Sequence, residues 1–214
     1  MRYVLSTLFF IFCSSTFSAG LERLENFVTK VKTGRAFFTQ VVISPRRDGQ
    51  AQRLKNSSGV FLFSRPKKFK FEYQKPFVQS IVADGGTLWM FDLELNQVTS
   101  SNQSKILQNS PIGLIAGASD LAKLKTYFEF SEAPPKDGIE WVFAKPLITD
   151  GQIQTLMVGF KSTSKNLAEL AVLDLMDNFG QRSILTFQEF QVNPVLPSDT
   201  FVFQPPPGAD VIRQ

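Results

Sequence analysis

The sequence predicts a mainly β fold with a minor α component (α+β): a meander of about eleven antiparallel strands, preceded by one amphipathic helix and interrupted midway by short helices. Three observations lead there. Short runs rich in Phe, Val, Ile and Thr recur from residue 35 onward, separated by Pro, Gly, Asn and Asp. Within such runs apolar and polar residues alternate: in KFKFEYQ (68–74), Phe69, Phe71 and Tyr73 take one side while Lys68, Lys70, Glu72 and Gln74 take the other. Helical spacing is confined to one stretch near the start and one block in the middle.

The opening MRYVLSTLFFIFCSSTFSAG has the layout of a secretory signal peptide, with Arg2 ahead of an apolar run from Tyr3 to Phe12 and small polar residues behind it. The run is shorter than the roughly 18 apolar residues a spanning helix needs. Cleavage is expected after Ala19 or Gly20, which divides the chain into a signal segment (1–20) and a single exported domain (21–214). The only cysteine, Cys13, lies in the signal segment, so the mature chain is expected to hold no disulfide and no thiol chemistry.

LERLENFVTKVK (21–32) spaces Leu21, Leu24, Phe27, Val28 and Val31 as one apolar helical face, and Gly34 is expected to stop that helix. Strands are then expected at 35–44, 53–64, 68–74, 78–84, 87–92 and 97–100, and after the central block at 124–130, 139–144, 154–160, 168–177 and 181–192. Asp84-Gly85-Gly86, Asp137-Gly138 and Asn178-Phe179-Gly180 mark turns. In the block 105–124, Ser110-Pro111 reads as a helix start, Ile112, Leu114, Ile115 and Ala116 follow, and Ser119 is placed to cap a second short helix through Leu124. Helices this short and apolar need a surface to lie on. A sheet of so many strands curls, and covered by helices it is either a filled half-barrel or a lidded pocket. The 22 phenylalanines suit both.

The chain holds no histidine, which removes the commonest general base and metal ligand and makes a Ser-His-Asp device impossible. No cofactor and no metal are expected, and no enzymatic activity; a carboxylate-based hydrolase using Asp84 and Asp92 stands as the rival. Net charge is +4, but residues 45–75 hold nine basic residues against two acidic ones, a face suited to an acidic partner or to anionic headgroups.

GVFLFSRPKKFKFEY (59–73), SIVADGGTLWMFD (80–92), NSPIGLIA (109–116), DNFGQRSILTF (177–187) and FVFQPPPGADVI (201–212), in this order, resemble the outer-membrane lipoprotein carrier family, LolA. The resemblance implies an incomplete antiparallel β-barrel closed by a short helical lid over an apolar cavity. It also implies a periplasmic chaperone that takes acylated lipoproteins released by an inner-membrane ABC transporter and passes them to an outer-membrane receptor. By that likeness Arg65 latches the lid through carbonyls around Ile115 and Ala116, and at the first helix near Phe27. Phe69, Phe71, Trp89 and Phe91 would line the cargo cavity, with Ile112, Leu114 and Ile115 on the underside of the lid. Nucleic acid is not expected as a partner, and a monomer suits a carrier that shields its cargo. A lipid- or lipoprotein-sensing module of the same fold, without transport, is the alternative.

Overall fold

The computed structural model describes residues 19–46, 51–104, 120–147, 153–162 and 167–214. Helix α1 spans Ala19–Lys30. The strands are β1 (Thr33–Ile43), β2 (Leu54–Ser64), β3 (Lys68–Lys75), β4 (Gln79–Ala83), β5 (Thr87–Asp92) and β6 (Gln97–Asn102). A short helix, α2 (Leu121–Leu124), precedes β7 (Phe128–Lys136), β8 (Ile139–Pro146), β9 (Ile153–Ser162), β10 (Ala168–Asp177), β11 (Arg182–Val192) and β12 (Asp210–Arg213).

All twelve strands form a single open sheet in the order β12-β6-β5-β4-β3-β2-β1-β11-β10-β9-β8-β7. Apart from the β12–β6 junction, neighbours in the sheet are neighbours in sequence or the closing pair β1·β11, in which Gly34 stands opposite Val192 and Ile43 opposite Arg182. The sheet is an unclosed barrel, ending at β7 on one side and β12 on the other. β12 is the strand beyond the expected eleven. It is only four residues long and pairs parallel to β6, Asp210 with Gln97 through Arg213 with Ser100, so no alternation long enough to read announces it.

Helix α1 buries Leu24, Phe27 and Val28, together with Val31 just beyond its end, against the inner face of the sheet. Its apolar face is the one the 3.6-residue period predicts, but Gly34 is not its stop. Gly34 lies inside β1, where an added Cβ would stand 2.2 Å from the Phe63 ring. The glycine serves close approach rather than capping. The second short helix is capped by Asp120, whose carboxylate accepts the Lys123 N–H at 2.8 Å, one residue later than Ser119. The Ser110-Pro111 helix start lies outside the described residues. Asp137 and Gly138 both take positive φ, 54° and 73°, as a two-residue hairpin turn requires.

The core is one continuous cluster on the inner face: Phe27 and Val31 from the helix segment; Phe38, Phe61, Phe63, Phe69 and Phe71 from β1 to β3; Phe160, Leu170 and Leu185 from β9 to β11. Gly59 makes room in it. A Cβ there would sit 1.9 Å from the Glu72 carbonyl oxygen and 3.0 Å from the Phe38 ring.

Candidate functional site

The alternation in KFKFEYQ is realised as written, with Phe69 and Phe71 buried on the face that carries α1. Opposite residues of an antiparallel pair project to the same side, so Phe71 shares its face with Phe61, Ile81 and Met90, and Phe69 with Phe63, Ala83 and Leu88. The rings form a connected aromatic sheet: Phe61 and Phe71 lie 4.5 Å apart, Phe38 meets Phe71 edge-on at 5.3 Å, and Phe38 meets Tyr73 edge-on at 5.0 Å. Helix α1 lays Phe27 across this surface, against Phe63 at 5.8 Å and Phe160 at 5.5 Å.

Trp89 and Phe91 do not join it. They pair with Val82 and Ser80, which stand opposite Lys70 and Glu72, so both aromatics face away from Phe69 and Phe71. On the outer face Trp89 stacks against Phe203 from the C-terminal segment at 5.4 Å, and Phe91 meets the same ring at a tilt at 6.3 Å. The expected grouping fails on parity: TLWMF places Leu88 and Met90 inward, and a strand cannot turn both odd and even residues to one side.

Arg65 occupies the β2–β3 turn where the helix segment ends. Its Nε donates to the Val31 carbonyl at 2.9 Å and its backbone N–H to the Lys32 carbonyl at 2.8 Å. The guanidinium lies over the rings of Phe27 and Phe63, 5.0 and 5.2 Å from their centroids. Burial lowers its pKa to about 10, so it remains charged near neutrality. Orphan carbonyls at a helix C-terminus attract such a donor. The contact near Phe27 is therefore present, while Ile115 and Ala116, and with them Ile112 and Leu114, lie outside the described residues.

Two polar side chains that sequence reasoning did not single out complete this end of the molecule. Asn193 accepts the backbone N–H groups of Lys32 and Thr33 at 2.7 and 3.3 Å and donates to the Lys30 carbonyl at 3.0 Å, clamping the end of α1 from the β11 side. Its positive φ of 53° is that of a turn former, and the Asn-Pro pair is the one signal of it that the sequence offers. Gln103, 1 % exposed, donates to the Lys67 carbonyl at 2.6 Å and accepts from Gly85 N–H at 2.9 Å, tying the β2–β3 turn to the β4–β5 turn. Nothing in its local sequence marks it.

The carboxylates considered for hydrolysis stand apart. Asp84 is at the beginning of the β4–β5 turn and Asp92 at the far end of β5. Asp84 accepts the N–H groups of Gly86 and Thr87 at 2.8 Å each and the Trp89 indole at 3.0 Å. Burial raises its pKa, but those bonds and the charge of Lys68 outweigh it and hold the carboxyl below its ordinary value. It is a turn brace, and Asp92 does the same for Leu95 at 3.1 Å. The basic window is divided as well: Lys67 and Lys68 are exposed near Arg65, Lys70 pairs with Glu72 at 2.6 Å, and Arg46, Arg53, Lys55 and Lys75 are exposed at the opposite end.

Comparison with known proteins agrees with this geometry. The family model described as outer membrane lipoprotein carrier protein LolA matches residues 29–204. An outer-membrane lipoprotein carrier protein of Albidiferax ferrireducens is 52 % identical over 214 residues, all of both chains. Another, from Methylibium petroleiphilum, is 45 % identical over 194 residues, 91 % of this chain and 89 % of that one. Among solved structures, an uncharacterized conserved protein from Thermus thermophilus aligns over 91 % of this chain and 96 % of its own, with a TM-score of 0.53 at 13 % identity, and so shares the fold. The motifs, the open sheet bearing a helix on its inner face, and full-length identity to named carriers place this chain in the outer-membrane lipoprotein carrier (LolA) family.

Proposed function

We propose that this chain is a periplasmic chaperone for acylated lipoproteins: it accepts them as an inner-membrane ABC transporter releases them, shields their acyl chains and delivers them to an outer-membrane receptor. The observation that carries the reading is the inner face itself, where Phe38, Phe61, Phe63, Phe69 and Phe71 form an unbroken aromatic surface under a helix held at its C-terminal end by Arg65. Such a surface suits acyl chains, whose burial is worth about 0.8 kcal/mol per methylene. A cover held by a few hydrogen bonds, rather than welded by packing alone, suits a cargo that must leave again.

Ile112, Leu114, Ile115 and Ala116 remain in this proposal as lid residues, and Phe69 and Phe71 as the cargo-facing aromatics. Met90, at 38 % exposure on the same face, replaces Trp89 and Phe91. Residues 1–20 act as the export signal, and the mature chain works as a monomer without cofactor.

The test is to add purified protein, Leu21 onward, to spheroplasts making a labelled lipoprotein and to follow the soluble fraction. A soluble one-to-one complex, competent for transfer to outer membranes, is expected. Binding of a fluorescent fatty acid without lipoprotein release would replace transport by sensing.

A further inference from the structure

The register places the β1–β2, β3–β4 and β5–β6 connections at one end of the sheet, the end away from Arg65. Turns normally carry Gly, Asn, Asp or Pro. Here two neighbouring turns present large apolar side chains to solvent: Phe77 and Val78 after β3, 61 % and 48 % exposed, and Leu93 and Leu95 after β5, 53 % and 70 % exposed. The turns are joined, because the Leu93 N–H donates to the Val78 carbonyl at 3.3 Å. The four residues therefore form one apolar tip rather than scattered exposures, and a contiguous tip of this kind marks an interaction site.

Cations flank it. Lys75 directly precedes the first turn, and across β2 the same end exposes Arg46, Arg53 and Lys55, with Leu54 between the last two at 62 % exposure. Among the described residues none of these four cations forms an ion pair. The acidic groups at this end are Glu94 and Asp210, both exposed, Asp92, half-buried and engaged with the Leu95 N–H, and Asp177, half-buried in the pocket that Arg53 also lines. Apolar side chains protruding beside a row of cations match the surface of an anionic bilayer, where rings enter the acyl boundary and cations stay among the phosphates.

We propose that this end of the sheet is a membrane-docking surface that inserts Phe77 and Leu95, with Val78 and Leu93, into an anionic lipid bilayer while Arg46, Arg53, Lys55 and Lys75 engage headgroups. It is separate from the inner face assigned to cargo and holds whether or not that assignment does. Docking would orient the molecule with its Arg65 end away from the lipid.

The experiment uses the mature chain carrying Phe77→Trp, with vesicles of phosphatidylglycerol and phosphatidylethanolamine, vesicles of phosphatidylcholine alone, and the same lipids brominated along the acyl chain. Co-sedimentation with the anionic vesicles, weakened by salt, and quenching at position 77 by bromolipid are expected. Replacing Lys55 and Lys75 by Gln should weaken binding about fivefold per charge. Phe77→Ser with Leu95→Ser should abolish it while leaving the melting temperature and fatty-acid binding unchanged, since both side chains are exposed. Sedimentation that is absent, that survives the double serine variant, or that proceeds without quenching at position 77 overturns the proposal. So does a dimer in solution that the serine variant dissociates, which would make a second copy the occupant of the tip.

Discussion

Arg65 and Val31, thirty-four positions apart, meet through a 2.9 Å hydrogen bond from the guanidinium Nε to the backbone carbonyl one residue beyond α1. The bond joins the β2–β3 turn to the end of the helix that covers the inner face, and Asn193 closes on the same segment from β11. A hydrogen bond to a charged group contributes about 1.5–3 kcal/mol. We expect Arg65→Leu to raise hydrogen-exchange rates of the last-turn amides of α1 by about tenfold or more, with little change in global stability because the cost of burying the charge is removed with the bond. Unchanged exchange at Phe27 to Val31 would show that packing alone holds the helix.

Face parity separates the aromatics into two groups with different consequences. Phe71→Ala removes a ring buried between Phe38 and Phe61 and should destabilise the fold by about 3–5 kcal/mol. Phe71→Leu, which preserves folding better, should weaken binding of a fluorescent acyl probe. Trp89→Phe loses the indole bond to Asp84 and should cost about 1 kcal/mol while acyl binding stays as it was. Equal binding losses in the two variants would contradict the assignment of the inner face.

Gly59 is required for space and not for backbone conformation. A Cβ there meets the Glu72 carbonyl at 1.9 Å, an atom fixed in the β2–β3 ladder. Gly59→Ala should therefore lower stability by about 1–3 kcal/mol or more, as overpacking does, read as a shift in the urea midpoint. Gly138→Ala, with open space around it but a φ of 73°, should cost about 1 kcal/mol through backbone strain alone.

Asp84 gives the fold a pH dependence of known sign. Its folded carboxyl titrates below its ordinary value of 3.8, so its contribution is fully present above that value and is lost as pH falls through the folded one. The melting temperature of the wild type should fall more steeply below about pH 4 than that of Asp84→Asn, and the two curves should run parallel near neutrality. A parallel course throughout would mean that the Gly86 and Thr87 amides do not favour the ionised form.

Sequence periodicity by itself determined most of the strands, the apolar face of α1 and the burial of Phe69 and Phe71, because side-chain direction follows the local repeat of two or 3.6 residues. The exception is β7, expected over 124–130 but found at Phe128–Lys136, where Leu124 ends α2 and pairing with β8 carries the strand through Pro134 and Pro135. Arg65 was singled out by the resemblance of its motif, SRPKKF, to the carrier family rather than by any periodicity. What required the tertiary structure was everything set by pairing across long separations. The inward face of β5 excludes Trp89 and Phe91, yet TLWMF alone is consistent with either phase; only pairing with Val82 and Ser80 fixes it. Gly34 reads as a helix stop until the Phe63 ring is seen to occupy the space its missing Cβ leaves. β12 is too short to announce itself and exists because β6 offers an unpaired edge. Asn193 and Gln103 act on backbone groups far away in the chain or in other turns, and a hydrogen bond to a distant carbonyl leaves no periodic trace in the residues around its donor.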